Sequence, residues 1–178
     1  VKVLSGSDGS QVCEWNVGQA AYIWLSRVGD ITGDGIEELG IAFRKGGIGA
    51  SDHVIRVMDT VSRAAVFEDN NLQNTCLIAG LGDVNSDGRC DLISAGRIGE
   101  GPSVGITCIS GASRATLWVF ACSPRSGITD YENVDVNGLY MLRIGDIDGD
   151  SVADVVFLGP KDGWGRTAPP VVHAVSGK

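Results

Sequence analysis

No apolar run in this chain of 178 residues approaches the roughly 18 to 20 consecutive residues that a membrane helix needs. No basic-then-apolar targeting segment stands at the N-terminus, so the expectation is a soluble chain whose targeting segment, had it been exported, is already removed. Cations are scarce. Lys and Arg total 14 against 22 Asp and Glu, a formal net charge of −8, which argues against nucleic-acid backbones as partners and suits metal cations. Histidine occurs twice, at His53 and His173, and no Ser/His/Asp or Cys/His set, P-loop or helix-borne metal motif is evident. The five cysteines (Cys13, Cys76, Cys90, Cys108, Cys122) form no CxxC and no Cys/His cluster, which excludes a zinc framework. They are open to one or two disulfides or, for Cys76 and Cys108 in apolar runs, to service as small buried residues. Apolar periodicity of the helical kind over 11 or more residues is also missing.

What remains is 43% hydrophobic and 20% charged, enough for one sizeable core or a string of small repeated ones, and not a disordered acidic tail. Gly-Asp pairs open acidic stretches at Asp30, Asp83 and Asp146: GDITGDGIEE, GDVNSDGRCD and GDIDGDSVAD. Each follows an apolar run (21–28, 76–81, 138–144) and precedes another (39–43, 91–96, 154–159). A third run recurs as VKVLSG, VIRVMD, GITCISG and VHAVSG, and a fourth near QVCEW, AAVFE and TLWVF. Short runs rich in Val, Ile and Leu, bounded by Gly, Asp, Asn and Ser, predict strands. Four strands per repeated unit predict an all-β fold of propeller-like blades, each a four-stranded antiparallel sheet. The predicted division is a partial blade at 1–20, blades at 21–70 and 75–120, and a partial blade at 138–178, with 121–137 as the longest connection.

The acidic stretches follow D-x-D-x-D-G-x-x-D, in which oxygens at positions 1, 3, 5, 7 and 9 converge as the chain turns. A cage of hard oxygens selects calcium, up to three ions here. The side-chain candidates are Asp30, Thr32, Asp34 and Glu38, then Asp83, Asn85, Asp87 and Asp91, then Asp146, Asp148, Asp150 and Asp154. The main-chain carbonyls of Ile36, Arg89 and Val152 complete the sets. Carboxylate count ranks the loop at Asp146 first, with four; the other two have three each, and the closer ligand match sets the loop at Asp83 second and that at Asp30 third. An EF-hand would need Glu at position 12 and a following helix, whereas Ile41, Ser94 and Phe157 stand there with strand-like sequence beyond. Ordinary Asp-Gly turns are the plainer alternative, weakened by three copies with matching spacing and flanks.

The unit apolar-GD-x-[DNT]-x-D-[GS]-x-x-[DE]-apolar, followed by a Gly-rich segment and V-x-x-[VI]-S-G, resembles the FG-GAP repeat of integrin alpha-subunit β-propellers and of many bacterial secreted proteins. The resemblance covers essentially the whole chain. Departures are Thr32, Glu38, Ser86 and Ser151, and a Gly-Ala-Pro element only partly present. It implies an extracellular or cell-surface recognition or adhesion module, with a protein or carbohydrate ligand on the face opposite the calcium loops. On that face it places the loops carrying Arg44, Lys45, Arg97, Lys161, Trp164 and Arg166.

Two other function classes stand beside it. One is a structural subunit of a surface layer or filament built head to tail. The other is a non-catalytic scaffold or part of a carbohydrate-active enzyme, since some polysaccharide lyases and phospholipases resemble this repeat; the expectation is that the chain itself is not an enzyme. Three repeats and a fraction fall short of a closed propeller. Either self-association or blades from elsewhere must then complete it.

Overall fold

The computed structural model describes residues 1–46, 53–69, 77–98, 104–122, 140–160 and 170–177. Among them lie thirteen strands and no helix: β1 Lys2–Leu4, β2 Gln11–Glu14, β3 Ala20–Gly29, β4 Glu38–Lys45, β5 His53–Met58, β6 Ala65–Asp69, β7 Leu77–Gly82, β8 Asp91–Arg97, β9 Val104–Ile109, β10 Thr116–Cys122, β11 Tyr140–Arg143, β12 Val155–Pro160 and β13 Pro170–Val175. All pairings are antiparallel and join neighbours in sequence. They make sheet I (β1–β2), sheet II (β3 to β6), sheet III (β7 to β10) and sheet IV (β11 to β13). The described residues form no closed ring.

The sheets stack face to face in chain order. Cys13 and Trp15 of sheet I pack with Ile41, Phe43, Val54 and Met58 of sheet II. The other face of sheet II sets Ala42, Ile55 and Val57 against Ile78, Leu92 and Ile109 of sheet III. Sheet III in turn sets Ile93, Ala95, Ile106 and Cys108 against Val155 and Phe157 of sheet IV. Because sheets II and III are covered on both sides, β8 is buried from Asp91 through Gly96 and reads as an unbroken apolar run rather than an alternating one. Each fully buried Ile, Leu or Val in these layers contributes roughly 1.5 to 3 kcal/mol relative to exposure.

A repeated device stitches the outer edges together. The turns after β1, β5 and β9 are closed alike, Ser5 to Ser10, Asp59 to Ala64 and Ser110 to Ala115. Each places a left-handed residue in the same place, Gly9 (φ 73°), Arg63 (φ 64°) and Arg114 (φ 67°). The following strand then carries a bulge at Val12, Val66 or Leu117. A bulge takes one residue out of the ladder. Arg63 donates to the Val12 carbonyl of the preceding sheet, and Arg114 to that of Val66. Trp15 and Trp118 add indole bonds to the Arg63 and Gly177 carbonyls, both at 3.0 Å.

Cys13, Cys90 and Cys108 are free thiols. Cys13 and Cys108 are buried in apolar layers, as small hydrophobic residues would be. Cys76 lies outside the described residues, as does the connection from 123 onward.

Candidate metal centres

Each acidic stretch spans the turn between a sheet's first and second strands, and the three turns share one hydrogen-bond scheme. The first-position carboxylate gathers main-chain N–H groups from inside the turn. Asp30 accepts from Gly33 at 2.6 Å and Gly35 at 2.7 Å, Asp83 from Asp87 at 2.9 Å and Gly88 at 2.8 Å, and Asp146 from Gly149 at 2.6 Å and Ser151 at 2.8 Å. The ninth-position carboxylate reaches back to position 2: Glu38 to Ile31 at 2.7 Å, Asp91 to Val84 at 2.8 Å, Asp154 to Ile147 at 2.7 Å. Position 5 accepts from position 7 at 2.8, 3.0 and 2.8 Å, through Asp34 and Ile36, Asp87 and Arg89, Asp150 and Val152. Winding this tightly requires positive φ at positions 4 and 6 of every loop. Glycine supplies it at four of the six places, while Ser86 (φ 60°) and Ser151 (φ 73°) adopt it with a side chain.

Further contacts to these loops come from the end of the third strand. The Ser110 hydroxyl donates to Asp87 at 3.3 Å and that of Ser176 to Asp150 at 3.2 Å. The next residue's N–H bonds the ninth-position carboxylate, Gly111 to Asp91 at 2.9 Å and Gly177 to Asp154 at 3.0 Å. A methyl at Gly111 would collide with the Cys90 carbonyl, and one at Gly177 with that of Ala153. Loop one differs, since Asp59 and Thr60 stand in place of Ser-Gly. Asp59 caps its own turn through Val61 at 2.7 Å and through Ser62. Sequence reasoning assigned no role to Ser110, Gly111, Ser176 or Gly177. The recurring S-G after the third strand was the signal.

Two loops bring three carboxylates together: Asp30, Asp34 and Glu38, and Asp146, Asp148 and Asp154, each set with one oxygen per residue within 4.8 Å of the others. Two oxygens sharing a calcium ion at about 2.4 Å each lie at most about 4.8 Å apart, so both donor sets fit a hard cation. Among the described residues the middle loop forms no such group: Asp83, Asp87 and Asp91 do not bring three carboxylate oxygens within that distance. There Asp91 is held from both sides by Val84 and Gly111, and Asp87 by Arg89 and Ser110. Asn85 turns its oxygen to the Asp87 N–H at 3.0 Å. Asp150 stands apart from the third cluster, bonded to Val152 and Ser176. Thr32 bonds both Asp30 and Glu38, at 3.4 and 3.3 Å. The loops at Asp30 and Asp146 thus gather three carboxylates each, while in the middle loop the amide of Asn85 stands where the third loop has Asp148.

The electrostatics divide the same residues. Desolvation is the largest single influence on Asp30 and pushes its carboxyl up, but the N–H groups of Gly35, Gly33 and Asp34 together outweigh it and hold it below the usual range. The N–H groups of Ser151 and Gly149 hold Asp146 down. Asn85, with Arg89 and Ser110, does the same for Asp87. Glu38, only 2% exposed, goes the other way, because desolvation pushes its carboxyl up despite its donors. Loops one and two are joined by the Cys90 N–H on the Asp30 carbonyl at 2.9 Å and by the Arg89 guanidinium on that of Ile31 at 3.2 Å.

The expected ligand-facing residues are spread more thinly. Arg44 and Lys45 lie at the far end of β4 from Glu38, about 20 Å along the strand. Arg97 holds the corresponding end of β8. Lys161, Trp164 and Arg166 lie outside the described residues. Between the first strands of sheets II, III and IV runs a groove of about 870 Å³, lined by Trp24, Leu25, Arg27, Leu77, Met141 and Arg143 among others. No protein-family model matches the chain, and no curated protein matches it.

Proposed function

We propose that the chain is a calcium-binding recognition module, a propeller-like array of FG-GAP-type blades that works outside the cell by binding rather than by catalysis. One observation carries the reading: the carboxylate clusters at Asp30, Asp34 and Glu38 and at Asp146, Asp148 and Asp154 sit in turns wound by one shared scheme. Asp30 and Asp146 are held ionised by main-chain donors, and Glu38 and Asp154 form the buried floor of each cluster. A bound calcium ion would supply the countercharge, and three would bring the chain from −8 to about −2. Thr32 and the carbonyls of Ile36 and Val152 would complete these two sets. Asp83, Asn85, Asp87, Asp91 and the Arg89 carbonyl form a third, weaker set. Few carboxylates per site on an exposed turn suit the high calcium concentrations outside cells.

The strand ends opposite these turns carry Arg44, Lys45 and Arg97, cations suited to an anionic protein or carbohydrate ligand. His53 and His173 lie within β5 and β13, the latter ring against Phe120 and Phe157, which favours packing over catalysis for His173.

Calorimetric titration of chelator-treated protein with calcium tests the proposal. Binding is expected, with a rise in melting temperature by linkage. Asp148→Asn and Asp34→Asn should each remove a binding event. Absence of heat and an unchanged melting curve in excess calcium would refute the reading.

A further inference from the structure

Positions 7 and 8 of the acidic turns hold Ile36 and Glu37, Arg89 and Cys90, and Val152 and Ala153. The middle pair sets a long cation beside a small side chain, and the fold uses both on the neighbouring loop. The exposed Arg89 side chain crosses to loop one, where its guanidinium donates to the Ile31 carbonyl at 3.2 Å and its Nε lies 3.8 Å from where a Cβ on Gly33 would stand. The Cys90 N–H donates to the Asp30 carbonyl at 2.9 Å, and the Cys90 thiol fills the space that a side chain at Gly29 would take. Ile31 of loop one, fully buried, packs in turn with Leu92, Ile109 and Cys90 of sheet III. Loops two and three lack the link. Among the described residues no main-chain hydrogen bond joins them, and Val152, in the place of Arg89, lies against Gly177 of its own sheet.

Both bonds from loop two end on residues that wind loop one. Asp30 carries the carboxylate that takes the Gly33 and Gly35 N–H groups, and the Ile31 N–H is held by Glu38. The peptide between Arg89 and Cys90 is planar and turns as one body. Its N–H is fixed on Asp30 of loop one, while the residue that supplies its carbonyl is held within loop two by the bond from the Arg89 N–H to Asp87 at 3.0 Å. Reorienting that plane in either loop disturbs the other.

We propose that loops one and two are one coupled unit, in which winding of either favours the other, while loop three winds alone. Its extension to cations rests on the calcium reading above, which makes the Arg89 carbonyl an oxygen of the second set. A cation there would fix the plane whose N–H holds Asp30, so filling either loop raises the affinity of the other, by the same factor in both directions. Arg89 is a positioning residue in this scheme, since its side chain belongs to neither donor set.

Hydrogen exchange in chelator tests the coupling without metal. Ile31 and Ile147 are matched reporters, each amide held by the ninth-position carboxylate of its own loop. Arg89→Ala, which cuts the bridge, and Asp83→Asn, which loosens loop two from within, are each expected to speed exchange at Ile31 about fivefold and to leave Ile147 unchanged. Arg89→Lys should restore part of the protection. Unchanged exchange at Ile31 overturns the proposal, and so does equal acceleration at Ile147, which would report a general loss of stability. Calorimetric titration with calcium is the second arm. Asp34→Asn, which disables loop one, should weaken the loop-two event about fivefold or more and leave the loop-three event, identified by its loss in Asp148→Asn, where it was. Loop-two binding indifferent to Asp34→Asn overturns the coupling of cation uptake. Absence of any calcium heat, with the expected exchange at Ile31, refutes the calcium reading and supports the coupling of the two loops.

Discussion

The guanidinium of Arg114 donates to the main-chain carbonyl of Val66, on the preceding sheet, at 2.7 Å while lying over the Phe67 ring at 5.1 Å. Val66 is the bulge residue of β6, so this bond crosses from one sheet to a carbonyl that the ladder does not use. Burial lowers the Arg114 pKa, consistent with a guanidinium partly withdrawn from water. Arg114→Ala is expected to cost about 1 to 2 kcal/mol, from a lost bond and a lost cation–π contact. Arg114→Lys should recover part of that. Urea melts of the two variants decide it; equal losses would mean that charge alone contributes nothing and the guanidinium geometry carries the whole effect.

Ser86 and Ser151 occupy left-handed positions that glycine fills elsewhere in the same loops. Ser151→Gly and Ser86→Gly should each stabilise the protein by about 0.5 to 1 kcal/mol, the relief of strain exceeding the added freedom of the unfolded chain. Gly33→Ala or Gly149→Ala should destabilise by a similar amount. Thermal melts in chelator keep bound metal from masking the difference.

Ser110 and Ser176 hold the fifth-position carboxylates, and Gly111 and Gly177 the ninth. Ser110→Ala or Ser176→Ala should cost about 1 kcal/mol for one hydrogen bond. Gly111→Ala and Gly177→Ala should cost more, about 2 to 3 kcal/mol, because the methyl meets a main-chain carbonyl that cannot swing aside. Chemical denaturation that ranks serine above glycine would contradict the geometry.

Glu38 is the carboxylate whose burial works against ionisation. With its folded pKa raised above the unfolded value of about 4.3, the folded state binds the extra proton, so its contribution is intact below that value and is lost as pH rises through the folded pKa. In chelator, Glu38→Gln should therefore melt above the parent at about pH 7 and converge with it below about pH 4. In excess calcium the order should reverse, since the amide is a poorer ligand. Asp30 and Asp146, with lowered pKa values, give the opposite slope, stability lost as pH falls through their folded values.

The amino-acid sequence by itself determined the all-β class, the runs that became strands and the places where the chain turns. Those properties are local: apolar residues within five or six positions, and Gly-Asp spacing that winds a turn from its own main chain. Even the glycine at position 6 was legible, and Ser151 stood out against it before its φ was known. The tertiary structure decided what lies across the chain. Ser110 meets Asp87 from 23 residues away and Ser176 meets Asp150 from 26, so the split between gathered and separated carboxylates depended on a third strand returning to the loop. The loops at Asp83 and Asp30 carry the same number of carboxylates, and the fold distinguishes them: Asp34 gathers with Asp30 and Glu38 and has no serine bond, whereas Asp87, like Asp150, bonds a third-strand serine, and Asn85 stands where the third loop brings in Asp148. The fold also decided which of three equivalent apolar faces remain open, since Ile106 and Val172 read alike in sequence and only stacking buries one and exposes the other.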